Sequence, residues 1–490
     1  MGNRIPETVK TIHLIAVCGT AMGALACMLK DLGYAVTGSD ANVYPPMSTF
    51  LEKKGIRVEA GFDGARLQAR PDLVIVGNAV RKDNPEAVAM TNLGLDYCSM
   101  PQALNHFVAA GRKAFVVAGT HGKTTTSSML AWIFQSAGFD PSFVIGGILG
   151  NFDSNYRLGR GDAVVLEGDE YDTAFFDKEA KFYHFHPHVA ILTSVEFDHA
   201  DIFTDMDHVR RVFARFVSAM KEDQTLIAFD TDPNIDALAA GVQCRLSRYG
   251  KRKNADWRIG DVFIDPPWNG FEVLRGQAPY GRFRMRQPGA HNRFNALAAI
   301  AAADQAGVPV QAIADALETF AGIRRRQEVR GVVRGVTVMD DFAHHPTAVR
   351  ETIAAVRPFY PDGRLIAVFE PRTNTSMRNV FQDAYAESFD LADLICIRQP
   401  PLLSKVPESI RFSSEKLAAD LKQRGKNALY FPDTDAIISR LVEQTRPDDL
   451  VLIMSNGGFD NIHERLMKEL GEVGTTPGAI AVADGIEVSK

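Results

Sequence analysis

Cysteine is scarce in this chain. Its 490 residues hold five, Cys18, Cys27, Cys98, Cys244 and Cys396, all far apart. They form no Cys-x-x-Cys pair and no even framework, which excludes a disulfide scaffold and suits a reducing cytoplasm. Positive charge is not in excess either. Fifty-four Lys and Arg stand against 60 Asp and Glu, for a net charge of −6, which points away from nucleic acid. No run approaches the roughly 20 apolar residues of a membrane span. The nearest, Leu14 to Leu29, has no charged residue and follows Arg4 and Lys10, as a secretory signal would. Gly19 and Gly23 interrupt it, and it continues into strand-like Tyr34–Thr37 and then Gly38-Ser39-Asp40. Strand, glycine turn, helix, strand and acid is the order of a nucleotide-binding βαβ unit, not of a signal peptide. No internal repeat is present.

What is there belongs to an ordinary globular protein: 46% hydrophobic and 23% charged residues. At about 150 residues per domain the length predicts roughly three domains. Strand-like runs alternate with helical patterns, which predicts an α/β fold of parallel sheets covered on both faces. The first block, residues 1–108, has strands near Ile12–Val17, Ala35–Thr37 and Leu73–Val76. The second, 109–322, has strands near Ala114–Val117, Ala163–Leu166, Val189–Thr193 and Leu226–Phe229. An Arg- and Gly-rich stretch, Asp256 to Arg286, reads as antiparallel strands, and Asn295–Ala306 as a helix. The third, 323–470, has strands near Gly335–Met339, Leu365–Phe369, Leu394–Ile397 and Leu450–Met454. The tail, 471–490, has no clear period and is expected to be poorly ordered.

The most telling segment is Gly119-Thr120-His121-Gly122-Lys123-Thr124-Thr125, between the strand-like Ala114–Val117 and a helical pattern from Ser127 to Gln135. Backbone N–H groups of such a loop, with the helix N-terminus, point at anionic oxygens. Lys123 can neutralise β/γ-phosphates and the Thr124 hydroxyl can hold Mg²⁺. Val117 stands where the usual pattern has its first glycine. The reading is a nucleoside triphosphate site, against a plain strand–turn–helix.

Other unusual residues also follow strands. Glu167-Gly168-Asp169-Glu170-Tyr171-Asp172 carries four carboxylates. Alone it reads as a solvated acidic loop. Beside a triphosphate it can supply hard oxygen ligands to Mg²⁺, with Glu167 best placed. Asp198-His199 reads equally as a metal or phosphate site and as a capping Asp with a bystander His. His184, His186 and His188 alternate and would share one strand face, but Pro187 intervenes and no fourth zinc ligand is evident. His291, Asn292 and Asn295 open the Ala-rich helix, where they can cap it or, through an Asn amide, pair with an adenine edge. Arg324-Arg325-Arg326, Asp340-Asp341, His344-His345, Glu370-Pro371-Arg372 and Ser455-Asn456-Gly457-Gly458 bring polar groups to the third block. Ligands of open α/β sheets bind beyond the carboxyl ends of strands, so these placements predict one cleft between the second and third blocks.

Together, Gly-Thr-His-Gly-Lys-Thr-Thr, Glu-x-Asp-Glu-x-Asp, Glu-x-Asp-His, His-Asn-x-x-Asn, Arg-Arg and Asp-Asp-x-x-His-His-Pro resemble the Mur ligases, the ATP-dependent amide ligases of peptidoglycan synthesis. The resemblance runs from about Ile12 to Leu470. It implies three domains: a Rossmann-like UDP-binding domain, a central P-loop ATPase-type domain and a Rossmann-like C-terminal domain acting as lid and peptide site. Gly38–Thr49, Glu196–Phe203 and Phe369–Thr375 are similar to the recycling branch, which joins the tripeptide L-alanyl-γ-D-glutamyl-meso-diaminopimelate to UDP-N-acetylmuramate. The branch that adds L-alanine usually has Pro-His-Arg-Tyr where this chain has Pro371-Arg372-Thr373-Asn374.

The resemblance also implies roles. Gly19, Thr20, Met22 and Asp40 would hold the UDP part, although Ala21 replaces a family glycine. His291, Asn292 and Asn295 would lie at adenine, Asp341 and His345 at ribose and phosphates. Arg325 and Arg326 would lie at the γ-phosphate, with Arg326 catalytic alongside Lys123, Glu167 and His199. Thr124, Glu167 and His199 would bind Mg²⁺. The stretch Val209–Phe216 lacks the lysine that some members carbamylate to hold a second Mg²⁺. Arg372, Asn374 and Asn456 would grip carboxylates of the peptide. The expected partners are small-molecule substrates, with neither nucleic acid nor membrane. The alternatives are the alanine ligase and a regulator that hydrolyses nucleotide without ligating. A dinucleotide dehydrogenase would leave the Gly-Lys-Thr loop unexplained.

Overall fold

Leu73-Val74-Ile75-Val76 is a strand with all four residues buried, as a parallel strand covered on both faces must be. The architecture is taken from a computed structural model that describes residues 2–45 and 47–472. The expectation for the tail falls, beyond Glu472, outside the described residues. The chain divides into two compact units, one ending at Arg326 and one beginning at Gln327.

The first unit opens with β1 (Thr11–Ile15), β2 (Ala35–Asp40), β3 (Arg57–Ala60), β4 (Leu73–Val76) and β5 (Tyr97–Ser99). They form a parallel sheet in the order β3-β2-β1-β4-β5. The uncharged run that imitates a signal peptide is β1 followed by the helix Thr20–Asp31, whose Met22 to Leu29 are buried.

The unit continues with β6 (Lys113–Ala118), β7 (Ser142–Leu149), β8 (Ser154–Arg157), β9 (Ala163–Gly168), β10 (Asp172–Ala174) and β11 (Asp177–Ala180). Then come β12 (Pro187–Leu192), β13 (Thr225–Phe229), β14 (Arg245–Gly250), β15 (Trp257–Asp265), β16 (Trp268–Arg275) and β17 (Ala278–Met285). Ten of these strands form one sheet in the order β17-β16-β15-β14-β13-β12-β6-β9-β7-β8, while β10 and β11 pair as a separate hairpin. From β14 to β7 the pairing is parallel, and β15, β16 and β17 form the antiparallel arm expected for 256–286. The strand period of two divides the core. Val116 and Ala118 pack in one cluster with the Thr20–Asp31 helix, while Phe115 and Val117 pack on the other face against the helices Lys123–Ser136 and Ala290–Gln305.

The second unit has β18 (Glu328–Val333), β19 (Val336–Asp341), β20 (Leu365–Phe369), β21 (Leu394–Arg398), β22 (Ala428–Phe431) and β23 (Leu450–Met454). Their order is β18-β19-β23-β20-β21-β22, parallel except for the antiparallel edge strand β18. Leu365, Ala367 and Phe369 face one cluster and Ile366 and Val368 the other, so this sheet too is covered on both faces.

The histidine triplet is one correction. His184 ends a 3-10 turn, Lys181–His184, and Pro187 only then opens β12, so the three do not share a strand face. His184 instead lies 2.7 Å from Asp177 Oδ2, on β11. Two strands also run longer than their apolar runs predict. Glu167 lies within β9 and Asp340-Asp341 within β19, because ladder pairing continues past the last buried apolar residue.

Candidate active site

In the central sheet β6 lies between β12 and β9, so the loop after it sits at a switch point of the sheet. Gly119 has φ +135, and a Cβ there would come within 2.2 Å of Thr193 Oγ1. Gly122 has φ +80, and its Cβ would come within 2.5 Å of Asn295 Oδ1. The segment after β12 clamps the loop. Thr120 N–H donates to Ser194 O (2.9 Å) and His121 N–H to Ser194 Oγ (2.8 Å). Thr193 Oγ1 donates to His121 O (2.5 Å) and Glu196 N–H to Thr120 Oγ1 (2.9 Å). The helix Lys123–Ser136 then starts from Gly122 with no side-chain cap, leaving its first N–H groups for a ligand. Val117, where a glycine is usual, pairs with Ile191 and Glu167 inside the sheet. The tight turn begins two residues later, so no glycine is needed there.

Lys123 is 9% exposed. Its Nζ donates to Gly119 O (2.6 Å) and to Glu170 Oε2 (2.7 Å). Burial alone would lower the lysine pKa, but the charges of Glu170, then Asp169 and Glu167, outweigh it and raise the pKa above its ordinary value. Glu167 accepts from Thr124 Oγ1 (2.9 Å) and from Gly146 N–H (2.7 Å). Burial, with Asp169 nearby, pushes its pKa up against the pull of Lys123. Asp169 goes the other way. Burial would raise it, but Lys181, whose Nζ is 2.9 Å away, and Lys123 hold it below its ordinary value. His199, at φ +52, places Nε2 3.7 Å from Glu170 Oε1 and its ring 5.0 Å from that of Tyr171. Carboxylates, a hydroxyl and an imidazole are thus collected beside the loop, a donor set that fits Mg²⁺.

The residues expected at adenine also gather here. Asn295 accepts from Thr126 Oγ1 (3.4 Å) and donates to Asn292 Oδ1 (3.2 Å), and Asn292 donates to Pro288 O (2.8 Å). Asn295 therefore braces Gly122 and Thr126 from the first turns of the Ala290–Gln305 helix. His291 is pushed down to about 4 by burial, then by Arg293 and Arg326, and is neutral at pH 7. The Gly322–Arg326 segment is stitched to the end of β7: Arg324 N–H donates to Ile148 O (2.9 Å) and Gly150 N–H to Gly322 O (2.9 Å). Arg325 and Arg326 follow directly on that anchor.

At the first sheet, Gly19 is the N-cap of the Thr20–Asp31 helix, with no side-chain cap and no acid in its first turn. Met22 is buried, and the Thr20 carbonyl accepts from Asn155 Nδ2 (3.1 Å), on β8. Asp40 accepts from Cys18 N–H (2.8 Å) and Asn42 N–H (2.9 Å), shaping the loop that leads to that helix.

In the second unit the expected residues lie at the carboxyl ends of three adjacent strands, β19, β23 and β20. Asp341 accepts from Gln327 N–H and Ala343 N–H, both at 2.8 Å. His345 caps the helix Pro346–Val356 through Thr347 N–H (3.2 Å). Arg372 lies against Gly457, Asn456 is half-buried beside it in sequence, and Asn374 is exposed in a turn closed by Thr373 and Ser376.

Residues 11–112, 117–303 and 324–457 match, in turn, the Mur ligase family catalytic domain, the Mur ligase middle domain and the Mur ligase glutamate ligase domain. Over 463 residues the chain is 42% identical to the UDP-N-acetylmuramate–L-alanyl-γ-D-glutamyl-meso-2,6-diaminoheptandioate ligase of Escherichia coli K12, covering 94% of this chain and 98% of that one. The chain belongs to the Mur ligase family.

A UDP-N-acetylmuramate–L-alanine ligase of Caldanaerobacter subterraneus is 34% identical, over 94% of this chain and 98% of its own. A crystal structure of a murein peptide ligase from Psychrobacter arcticus matches with a TM-score of 0.70 at 37% identity, over 96% of this chain and all of that one. As a Mur ligase the protein is an ATP-dependent ligase. No helix among its described residues is long and apolar enough to cross a membrane.

Sequence reasoning missed two groups in this Mur ligase. Glu170 is the partner of Lys123, whereas the sequence singled out only Glu167 of the same acidic run, and that for Mg²⁺. Lys181, the second buried lysine of the cluster, went unnoticed because the β10–β11 hairpin brings it back 12 residues after Asp169. An acidic run with two buried lysines in reach is the signal that a search for charge balance could have used.

Proposed function

We propose that this Mur ligase joins the lactyl carboxylate of UDP-N-acetylmuramate to the amino group of the tripeptide L-alanyl-γ-D-glutamyl-meso-diaminopimelate, in peptidoglycan recycling. The observation that carries the reading is the 42% identity, over nearly the whole chain, to a ligase of that name, against 34% to the alanine ligase.

The chemistry gives the residues their work. A carboxylate does not react with an amine in water, because oxide would have to leave. Phosphorylation by ATP makes an acyl phosphate, whose leaving group is phosphate. Two anions must meet first, and Lys123 and Arg326 offset their repulsion and the charge that develops between them. Glu167, Thr124 and His199, with Glu170, would hold Mg²⁺, which supplies further positive charge to the phosphates when bound. His291, Asn292 and Asn295 shape the nucleoside side, and Arg325, Asp341 and His345 contribute to nucleotide binding. Gly19, Thr20 and Met22 present the uncapped helix start to the UDP diphosphate, on a loop shaped by Asp40. Arg372, Asn374 and Asn456 receive the peptide carboxylates, for which the Arg fork is suited. The domain limits are 1–108, 109–322 and 323–470. All five cysteines are free thiols, in keeping with a cytoplasmic enzyme.

The test is to supply ATP, Mg²⁺ and UDP-N-acetylmuramate, then L-alanine or the tripeptide separately, and to follow phosphate release and product mass. Release with the tripeptide alone is expected. Release with alanine alone assigns the alanine ligase, and release indifferent to either amine assigns a hydrolase.

A further inference from the structure

Glu370 follows β20 directly and is 0% exposed. A buried carboxylate without a partner is strongly destabilising, so its surroundings must neutralise it. Two arginines stand near. Arg398, the last residue of β21, donates from Nη1 to Glu370 Oε2, and Ser455, just after β23, donates its hydroxyl to Oε1 (2.7 Å). Arg372 Nη1 is 3.6 Å from Oε1, too far for a hydrogen bond. Glu370 is therefore satisfied by Arg398 and Ser455, and it holds Arg372 only by longer-range attraction.

The supports around Arg398 are elaborate for a structural ion pair. Its Nη2 donates to Asp460 Oδ2 (2.5 Å), which also accepts from Thr434 Oγ1 (2.8 Å), and its guanidinium lies 5.5 Å from the Phe459 ring centre. The turn that presents Asp460 has Phe459, Asp460 and Asn461 at φ +45, +50 and +53. Non-glycine residues rarely adopt such values, and three in succession persist only where the surroundings over-determine them. On the other side, a Cβ at Gly457 would come within 2.1 Å of Arg372 Cδ and 2.3 Å of its Nε. Only glycine lets the Arg372 side chain lie across this turn, with 31% of it exposed.

We propose that Arg398 and Gly457 are positioning residues for the acceptor peptide. Arg398 neutralises the buried Glu370, which keeps the Arg372 fork from being drawn into the protein. Gly457 leaves room for that fork to lie flat, where it receives a carboxylate of the incoming peptide. The inference rests on the tripeptide-ligase reading.

The test is steady-state kinetics with each substrate varied in turn, and it begins with the wild type. Arg398→Met is expected to raise the KM for tripeptide about tenfold or more, because Glu370 then captures Arg372; tenfold corresponds to ~1.4 kcal/mol. The KM values for ATP and UDP-N-acetylmuramate should stay within about twofold. Adding Glu370→Gln removes the buried charge and should restore most of the tripeptide KM. Gly457→Ala displaces Arg372 without touching the Glu370–Arg398 pair, should give the same selective rise, and serves if Arg398→Met does not fold. An equal rise for all three substrates, a double variant no better than Arg398→Met, or an unchanged tripeptide KM in Gly457→Ala would each overturn the inference. If the wild type ligates L-alanine and not the tripeptide, the functional reading fails. The same variants are then judged on the KM for L-alanine, which presents its own carboxylate.

Discussion

At the residue scale the Lys123–Glu170 pair combines stability with chemistry. Each buried charge depends on the other, so Lys123→Met should cost about 3–5 kcal/mol in denaturant unfolding. It should also lower ligation by about a hundredfold or more, as expected when a preorganised charge is removed. Adding Glu170→Gln removes the stranded carboxylate and should recover most of the stability but none of the rate. Wild-type turnover in that double variant would take Lys123 out of the reaction. His291 gives a pH signature. Its folded pKa, about 4, lies below the 6.5 of an unfolded histidine, so the unfolded chain binds more protons between those values. Its contribution is therefore intact above pH 6.5 and is lost as pH falls toward 4. A plot of unfolding midpoint against pH should be flatter over that window in His291→Gln, and an unchanged slope would contradict the assignment. In the sequence Glu167 is the best-placed ligand for Mg²⁺, but spacing alone does not say which carboxylate reaches Lys123 once the chain turns after its strand.

At the element scale the geometry of the Gly119–Thr125 loop was legible because its parts are local: a buried strand, two glycines at positive φ, and a helix begun without a cap. Its clamp was not. Thr193, Ser194 and Asn295 reach the loop from segments about 70 and 170 residues away, across strand pairing and helix packing that no local pattern encodes. Gly122→Ala tests that clamp. The positive φ costs about 1–2 kcal/mol, and the new Cβ must also displace Asn295. The expected result is a KM for ATP raised at least about tenfold with a lower unfolding midpoint. An unchanged KM for ATP would show that Asn295 does not fix the loop.

At the scale of the whole molecule, both faces of all three main sheets are covered, and the cysteines report on it. Cys27, Cys98, Cys244 and Cys396 are buried, while Cys18 is half-buried in the loop before the Thr20–Asp31 helix. Burial, with Asp40 nearby, pushes the Cys18 thiol up to about 11, and burial pushes Cys396 up to about 12. An aromatic disulfide reagent at pH 8 should therefore titrate at most one thiol, slowly, in the native protein and five in guanidinium. UDP-N-acetylmuramate should slow the native reaction further if the Cys18 loop binds it. Two or more fast native thiols would contradict the burial of these cores.

By itself the sequence determined the fold class, the buried parallel strands at the centre of each sheet, the antiparallel arm and the family. These rest on short-range periods, turn residues and ordered motifs, which are properties of neighbours along the chain. Tertiary structure alone decided which carboxylate serves Lys123, that Lys181 completes its charge balance, and that Arg398 rather than Arg372 neutralises Glu370. Each of these is a choice between partners brought together by strand order and burial. Low dielectric and the absence of water make that choice costly to get wrong, and a linear pattern carries no record of the distance that decides it.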